Sequence, residues 1–391
     1  MTEEKNSANT VDLAKEWLLN SGIQNVGKDA KINGGFNSWF DFKNKNYPYI
    51  YSEITGYGIS SLLFINKAQP DKILMERAKL AADWLMKFAI HESGGVRTRY
   101  YYEKNSYPKE YSFDNGLMFV FDSGMVMYGF VMLYKETKDE KYLKAAEKIA
   151  EFLMKCYKGN GLFYAAYDSQ KDNFIDDVKK WSYQSGSFHC KVALGLLELS
   201  EINDEDSYKK AAIDLCKTTV EMQEEDGKFE TFRGIGDTNL HPHLYSTEGL
   251  TYVGIKLNNE NFLRSAARAC EWVLKSQMKN GGIPCMFVKG KFVQEERSDV
   301  LAQTLRIASI LAEMNILDVE DLNKKLKKLK ARLITFQNLH EDQKGGFFYG
   351  SDETGKRLDH LNSWCTMFAV QAVNMHEHLE KKMKIEIEPF I

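Results

Sequence analysis

Apolar positions recur along this chain with a period near 3.6, in two alternating styles. In the first, a single apolar stripe is backed by a charged face: residues 72–90, 140–157, 206–223, 260–278 and 319–337, with 11–20 as a shorter version. Such segments read as amphipathic helices with one buried side. Asp139-Glu140-Lys141-Tyr142-Leu143-Lys144-Ala145-Ala146 shows the form, an acidic helix start followed by the first buried residues. In the second style the segment is apolar nearly all round and rich in Gly, Ala and Ser: 52–68, 121–137, 183–199, 243–257, 297–314 and 360–376. A helix of that kind is surrounded by protein. Small residues such as Gly195, Gly249, Gly254 and Ala308 let its neighbours approach closely.

A short glycine-centred turn, soon followed by an apolar residue, recurs six times: Gly34-Gly35-Phe36, Gly94-Gly95-Val96, Gly161-Leu162-Phe163, Gly227-Lys228-Phe229, Gly281-Gly282-Ile283 and Gly345-Gly346-Phe347. Successive first glycines lie 54 to 67 residues apart. A near-regular period of this length marks a repeated supersecondary unit. Six amphipathic and six buried helices thus alternate. The economical arrangement is an all-α (α/α)6 toroid of six helical hairpins, buried helices inside, with short β-hairpin connections. An open superhelical array is the rival, but six units with long, varied connections favour closure. With no linker, low-complexity tract or charge block in between, residues 1–391 read as one domain, of which 1–10 are expected to be flexible.

Composition narrows the class. Of 391 residues, 43% are hydrophobic and 27% charged, as in ordinary soluble globular proteins. A net charge of −3 without a basic stripe argues against a nucleic-acid partner. The basic run at residues 324–330 lies on a predicted outer helix and reads as a solvated face. Six cysteines are scattered singly with no CxxC spacing, so they read as reduced, buried thiols. The first residues lack a secretory pattern and no apolar run is long enough to span a bilayer, so a cytoplasmic location without membrane insertion is expected. The 20 tyrosines and 23 phenylalanines suit sugar-stacking surfaces as well as a core.

In such a ring the first turns of the inner helices gather at one end, where free N–H groups favour anions. The richest of these turns is His241-Pro242-His243-Leu244-Tyr245-Ser246-Thr247-Glu248-Gly249, which puts two imidazoles, a phenol and a carboxylate at the mouth of an apolar helix. So many polar groups must be hydrogen-bonded inside the fold or face a wet cavity. Four of the eight histidines, His189, His241, His243 and His360, fall in these first turns. The expected funnel is lined by Glu53, Asp122, His189, His243, Glu248, Asp299 and His360, with Trp39, Tyr57, Tyr245 and Trp364 as stacking platforms. Asp122 and Asp299 also read as helix N-caps, and Glu53 and His189 as satisfied core groups. Arg97 and Arg99 follow the second glycine turn with strand-like alternation, and Arg233 follows the fourth. Arginine suits bidentate contact with a sugar carboxylate or phosphate. Metal-ligand spacing, phosphate-loop glycines and a Gly-x-Ser-x-Gly elbow are absent, so neither metal nor cofactor is expected.

These residues resemble known families. The alternating helices with Gly-Gly-aromatic turns resemble the six-hairpin toroid of carbohydrate-active proteins over essentially the whole chain. Residues 345–356, Gly-Gly-Phe-Phe-Tyr-Gly-Ser-Asp-Glu-Thr-Gly-Lys, look like a hairpin of the N-acylglucosamine 2-epimerase family. Phe121-Asp122-Ser123-Gly124 is loosely similar to the Asp-bearing inner helix of unsaturated glucuronyl hydrolases, whose paired Asp is replaced here by Ser123. The segments at 51–57 and 241–249 resemble Tyr-x-Glu-x-Thr-Gly-Tyr and His-x-His-x-Tyr-x-x-Glu-Gly segments of toroid proteins associated with exopolysaccharide biosynthesis.

The resemblance and the residues together imply an enzyme acting on an acidic or acetamido sugar unit of a surface polysaccharide, of epimerase or isomerase type. The expected acid–base pair is His243 and His360, with Glu248 orienting His243, and Glu53 and Arg97 holding the substrate. The alternatives are a glycoside hydrolase or lyase using Glu53 and Asp122, and a non-catalytic glycan-binding protein. The sugar and the oligomeric state are not fixed by sequence.

Overall fold

The computed structural model describes residues 2–102, 107–178 and 180–391, with side chains from Asn9 onward. The expectation of flexibility at 1–10 falls on a stretch whose side chains, up to Ala8, lie outside the described residues. Among the described residues the chain is mostly helical. One set of helices buries a single face: α1 (Thr2–Asn20), α3 (Lys72–Trp84), α5 (Glu140–Cys156), α7 (Asp206–Glu221), α9 (Glu260–Lys275) and α11 (Leu322–Ile334). The alternate set is buried almost throughout: α2 (Ser52–Ala68), α4 (Val120–Thr137), α6 (Ala193–Asn203), α8 (Leu240–Lys256), α10 (Ser298–Glu313) and α12 (Ser363–Glu380). Asp71, Asp139, Glu205 and Asn259 cap the starts of α3, α5, α7 and α9, each accepting a first-turn N–H.

Packing follows chain order. Each even-numbered helix packs on the odd one after it, and α12 packs on α1. The even-numbered helices also pack on one another in sequence, and α12 returns to α2, so the contacts close into a ring. One apolar cluster draws residues from all twelve of these helices, from Ala14 to Ile391. No described helix is long and apolar enough to cross a membrane.

The glycine turns hold the ring together. Gly34 has φ +106°, and a Cβ there would lie 2.1 Å from the Leu80 carbonyl oxygen on α3. Gly345 has φ +100°, and its Cβ would lie 2.0 Å from the Leu13 carbonyl oxygen on α1. The first glycines of the other four turns meet backbone carbonyls of α5, α7, α9 and α11 in the same way. Each turn is therefore keyed to the next outer helix, and the sixth is keyed to the first. Gln24, Gln223, Gln277 and Gln337 reinforce this, each donating to a carbonyl of its own turn and to one on the next outer helix.

A second repeated bond ties turn to inner helix. The N–H of Phe36, Val96, Phe229 and Phe347 donates to Thr55, Ser123, His243 and Thr366 respectively, at 2.9–3.2 Å. These four acceptors occupy one equivalent position, near the start of α2, α4, α8 and α12.

Short strands join the units at the end where the inner helices begin. β1 (Trp39–Asp41) pairs antiparallel with β12 (His360–Asn362), linking the first unit to the last, and β10 (Phe347–Phe348) pairs with the other edge of β12. β2 (Tyr49–Tyr51) pairs with β3 (Arg99–Tyr101), and β4 (Leu117–Phe119) with β5 (Ala166–Asp168) and β6 (Asn173–Ile175). A four-stranded sheet runs β11 (Gly350–Ser351), β9 (Lys291–Arg297), β8 (Pro284–Val288), β7 (Thr238–Asn239).

Two segments depart from the helices expected of them. Residues 183–199 do not form one helix. Gly186 is extended and separates a 3-10 stretch, Trp181–Tyr183, from a second, Ser187–Val192, which runs directly into α6. The outer segment 72–90 ends in a wider π-helical turn, Leu85–Ala89. All six cysteines are buried free thiols.

Candidate active site

A cavity of about 240 Å³ opens where the first turns of the inner helices converge. Its polar wall comes from neighbouring units. Glu53 stands in the first turn of α2 and Asp122 in that of α4, and Arg99 on β3 acts on both. His241 and Tyr245 come from α8, Arg297 precedes α10, and Trp364 opens α12. Apolar and aromatic surface is supplied by Phe119, Phe121, Trp181, Phe188 and Tyr349, among others.

The register explains this convergence. Residues two positions before the repeated acceptors are Glu53, Phe121, His241 and Trp364, and all four line the cavity. The acceptor faces the turn and the residue two before it faces the centre, as the 100° step of a helical first turn requires.

The two carboxyls are a coupled pair. Both are buried, at 7% exposure for Glu53 and 4% for Asp122. Burial pushes Glu53 up to about 7, with the Tyr51 hydroxyl, Lys191 and Arg99 opposing. Burial, followed by the charge of Glu53, holds Asp122 well above the usual carboxylate range. With Glu53 near 7 and Asp122 held above the usual carboxylate range, at least one carboxyl hydrogen remains at this wall near neutrality. Asp122 Oδ2 has no hydrogen-bond partner, so a lone pair or a proton is available at the cavity wall. Arg99 is held rigidly between aromatic rings, 4.7 Å from the ring centres of Tyr49 and Tyr111 and 5.3 Å from that of Tyr51.

The imidazole in this cavity is His241. Its Nδ1 lies 2.8 Å from Gln303 Oε1 and 3.3 Å from Asp299 Oδ2. Both are acceptors, so Nδ1 carries the hydrogen and Nε2 keeps its lone pair. Burial pushes the imidazole down to about 4, which leaves it neutral at pH 7. Asp299 is itself fixed, accepting from Arg297 Nε at 3.1 Å, Trp364 Nε1 at 2.9 Å and the Val300 N–H at 2.8 Å. Burial raises the Asp299 carboxyl, but the Arg297 guanidinium outweighs it and holds the group ionised.

Beneath the cavity lies a dry ionic cluster. Glu248 is fully buried, 2.8 Å from Lys191 Nζ, and accepts from Arg306 Nε at 3.0 Å. Burial raises Glu248, yet the two cations outweigh it and hold it below its usual value. Lys191 Nζ sits 4.8 Å from the Tyr57 ring centre and 4.6 Å from that of Tyr245, and also donates to the Ile391 carbonyl. Burial lowers this lysine to about 8.

Of the residues expected in the funnel, Glu53, Asp122, Arg99, His241, Tyr245 and Trp364 are brought together, with Asp299 directly behind His241. The rest stand elsewhere. His243 is fully buried; its Nδ1 accepts the Phe229 N–H and its Nε2 lies 3.3 Å from the Ala269 carbonyl oxygen, so both ring nitrogens serve the backbone. It is not oriented by Glu248, whose partners are Lys191 and Arg306. His189 is packed among Phe163 and Phe188, with neither nitrogen hydrogen-bonded. His360 stacks on the cavity-lining Tyr349 and tilts against Trp39, and neither His360 nor Trp39 lines the cavity. Tyr57 is buried behind the wall. Arg97 lies in a separate hollow, and Arg233 is committed to Asp176 at 2.8 Å. Tyr51, Arg297, Trp181 and Lys191 were missed, although Arg297 adjoins Asp299 by two residues and opens the fifth inner helix.

No protein-family model matches this chain, and no curated protein matches it in sequence. Its fold is nonetheless shared with solved structures. Cellobiose 2-epimerase from Bacillus thermoamylovorans superposes with a TM-score of 0.76 at 11% identity, covering 94% of this chain and 99% of the other. A D-mannose isomerase gives 0.73 at 12% identity, covering 96% and 97%. An unsaturated glucuronyl hydrolase from Bacillus sp. GL1, described as responsible for glycosaminoglycan degradation, gives 0.65 at 16% identity, covering 95% and 97%. At these identities the likeness is one of fold.

Proposed function

We propose that this chain is a single-domain (α/α)6 toroid and a carbohydrate-active enzyme whose cavity performs acid–base chemistry on a sugar unit. The observation that carries the reading is the placement of two buried carboxyls, Glu53 and Asp122, and the His241 imidazole, with its Nε2 uncommitted, in the wall of one cavity. In this reading His241 is the general base, with its tautomer set by Asp299. The Glu53/Asp122 pair supplies the proton. A base and an acid on different walls of one cavity suit epimerisation or isomerisation. Nε2 takes a proton from the carbon beside the carbonyl of an open-chain sugar, and a carboxyl hydrogen goes to the carbonyl oxygen. Return of a proton to carbon and loss of one from oxygen then complete the exchange. Arg99 and Arg297 would hold ring hydroxyls or a sugar carboxylate, and Trp181, Tyr245 and Trp364 would pack against the sugar's C–H faces. Solved proteins of like fold, named as an epimerase and an isomerase of sugars, support this assignment.

Hydrolysis is the second reading, favoured by two coupled carboxyls standing on adjacent inner helices. One would protonate the leaving oxygen while the other activates water or attacks carbon. Incubating the protein in deuterium oxide with a panel of free sugars and oligosaccharides separates the two. Deuterium at a sugar carbon supports the first reading, and release of reducing ends supports the second. Binding of a sugar with neither event would make the protein a glycan-binding protein and overturn the enzymatic proposal.

A further inference from the structure

Arg97, singled out by its place after the second glycine turn, is not part of the cavity. It lies in a hollow of about 350 Å³ on the other side of the same wall. Thr98, Arg99 and Tyr111 face the cavity, while Arg97, Tyr100, Ser112 and Phe113 face the hollow. The two spaces are separated by the thickness of β3 and the strand-like segment bonded to it through Arg99 N–H and the Tyr111 carbonyl.

The two arginines differ in what they serve. Arg99 acts on the cavity carboxyls and is enclosed by tyrosines. The Arg97 guanidinium sits 5.9 Å from the Phe113 ring centre and pairs with no carboxylate among the described residues. Among the described residues Asp114 is the one carboxylate in the hollow's lining, and its Oδ2 accepts from the Ser112 hydroxyl at 3.3 Å. Lys109 adds a second cation at the edge. Phe88, Tyr100 and Phe113 supply aromatic walls, with Tyr100 set edge-on to Phe113 at 5.8 Å.

We propose that this hollow is a second saccharide site, selective for a sugar unit bearing an anionic group, either a carboxylate or a phosphate ester. A half-buried guanidinium has lost part of its hydration and gained no counter-ion from the described residues. A planar oxyanion restores both through two parallel N–H···O bonds. Aromatic faces beside it suit the C–H face of a sugar ring, which distinguishes the hollow from a site for a free inorganic ion. The site holds a unit of an acidic glycan apart from the unit in the cavity, and its existence does not depend on the chemistry performed there.

The test is titration calorimetry at low ionic strength on the full chain carrying Glu53→Gln and Asp122→Asn, so that any turnover is suppressed. The probes are a galacturonic acid tetramer, its neutral methyl ester, and glucose 6-phosphate. Arg97→Ala should weaken at least one anionic probe by about tenfold or more, the loss of one charged, paired hydrogen bond. Arg97→Lys, which keeps charge but loses the fork, should recover only part of it. The methyl ester should bind alike in the two Arg97 variants and their parent. Tyr100→Ser provides an independent variant that leaves every charge in place and should weaken the same probe. Loss confined to the tetramer identifies a carboxylate seat, and loss confined to glucose 6-phosphate a phosphate seat. The proposal is overturned if Arg97→Ala binds both anionic probes as its parent does, or if the methyl ester is affected equally. Because these measurements use a protein disabled in its cavity, failure of the acid–base reading leaves the outcome unchanged.

Discussion

His241 and His243 are two residues apart, both buried, and opposite in consequence. His243 fills the position that Thr55, Ser123 and Thr366 fill in other units, accepting one N–H from the glycine turn. His241 has one nitrogen fixed by Gln303 and Asp299 and the other uncommitted. Replacing His241 with Ala should therefore cut turnover by about 100- to 10,000-fold, the range for loss of a positioned general base, with the melting temperature little changed. His243→Ala should do the reverse. It strands the Phe229 N–H and opens a void, costing about 2–4 kcal/mol in urea unfolding. The residue pattern at 241–249 was visible in the sequence, yet a helical segment read alone does not reveal which of two near neighbours faces inward. Superimposing the repeats on the residue after each glycine turn would have revealed it, because Glu53, His241 and Trp364 then share one register.

The carboxyl pair gives a second prediction at this scale. With Glu53 at about 7, activity that needs the carboxyl hydrogen should fall as pH rises through about 7. Glu53→Gln removes the charge that, after burial, raises Asp122, so Asp122 ionises more easily in the variant. Infrared difference spectra report the same event without substrate. The C=O band of a protonated carboxylic acid should persist near neutrality in the parent and disappear at lower pH in the variant. A band that vanishes near pH 4.5 in both would mean the pair is not coupled.

Among the elements, the glycine turns carry the repeat and the inner helices carry the polar groups. Period and burial style made both legible: α2 begins and ends where its apolar run does, and α3, α5 and α7 begin at their acidic caps. The third unit was not legible, because Gly186 breaks a run whose apolar pattern continues unbroken through Phe188, Cys190 and Val192. Nor was the ionic cluster, since Lys191 and Arg306 lie in segments otherwise read as apolar and meet Glu248 only where the flanking inner segments pack on α8. The turns can be tested directly. Gly345→Ala must accept both a positive φ and a Cβ 2.0 Å from a carbonyl of α1, so it should cost about 2 kcal/mol or more. Gly355→Ala is the control: φ is +82°, but nothing lies within 4 Å of its Cβ. It should pay the backbone strain alone, and equal losses in the two variants would mean that the turn is not keyed to α1.

At the scale of the whole molecule, the polar groups buried to build one cavity make the fold sensitive to acid. His241, His243, His360 and His376 are each lowered by burial to about 4, and His189 to about 3. An unfolded histidine titrates near 6.5. Each of these contributes stability that is present above pH 6.5 and is lost as pH falls toward its folded value, because the unfolded chain takes up a proton the native state refuses. The Glu53/Asp122 pair has the opposite sign: raised carboxyls favour the native state at low pH and lose that contribution as pH rises toward about 7 for Glu53. Between pH 6.5 and 4.5 the five imidazoles therefore outnumber the two carboxyls, and unfolding should take up about three protons. At about 1.4 kcal/mol per proton and pH unit, stability should fall by roughly 4 kcal/mol for each unit of acidification. Against a typical total of about 5–15 kcal/mol, the roughly 8 kcal/mol lost across that window is enough to unfold a chain in the lower half of the range before His241 itself is half protonated. The acid limb of any activity profile should then follow loss of the fold and the alkaline limb the carboxyl pair. Urea unfolding followed at pH 7, 6 and 5 measures the slope. A stability that stays flat or rises on acidification in that window would show that these histidines are not held neutral in the folded chain.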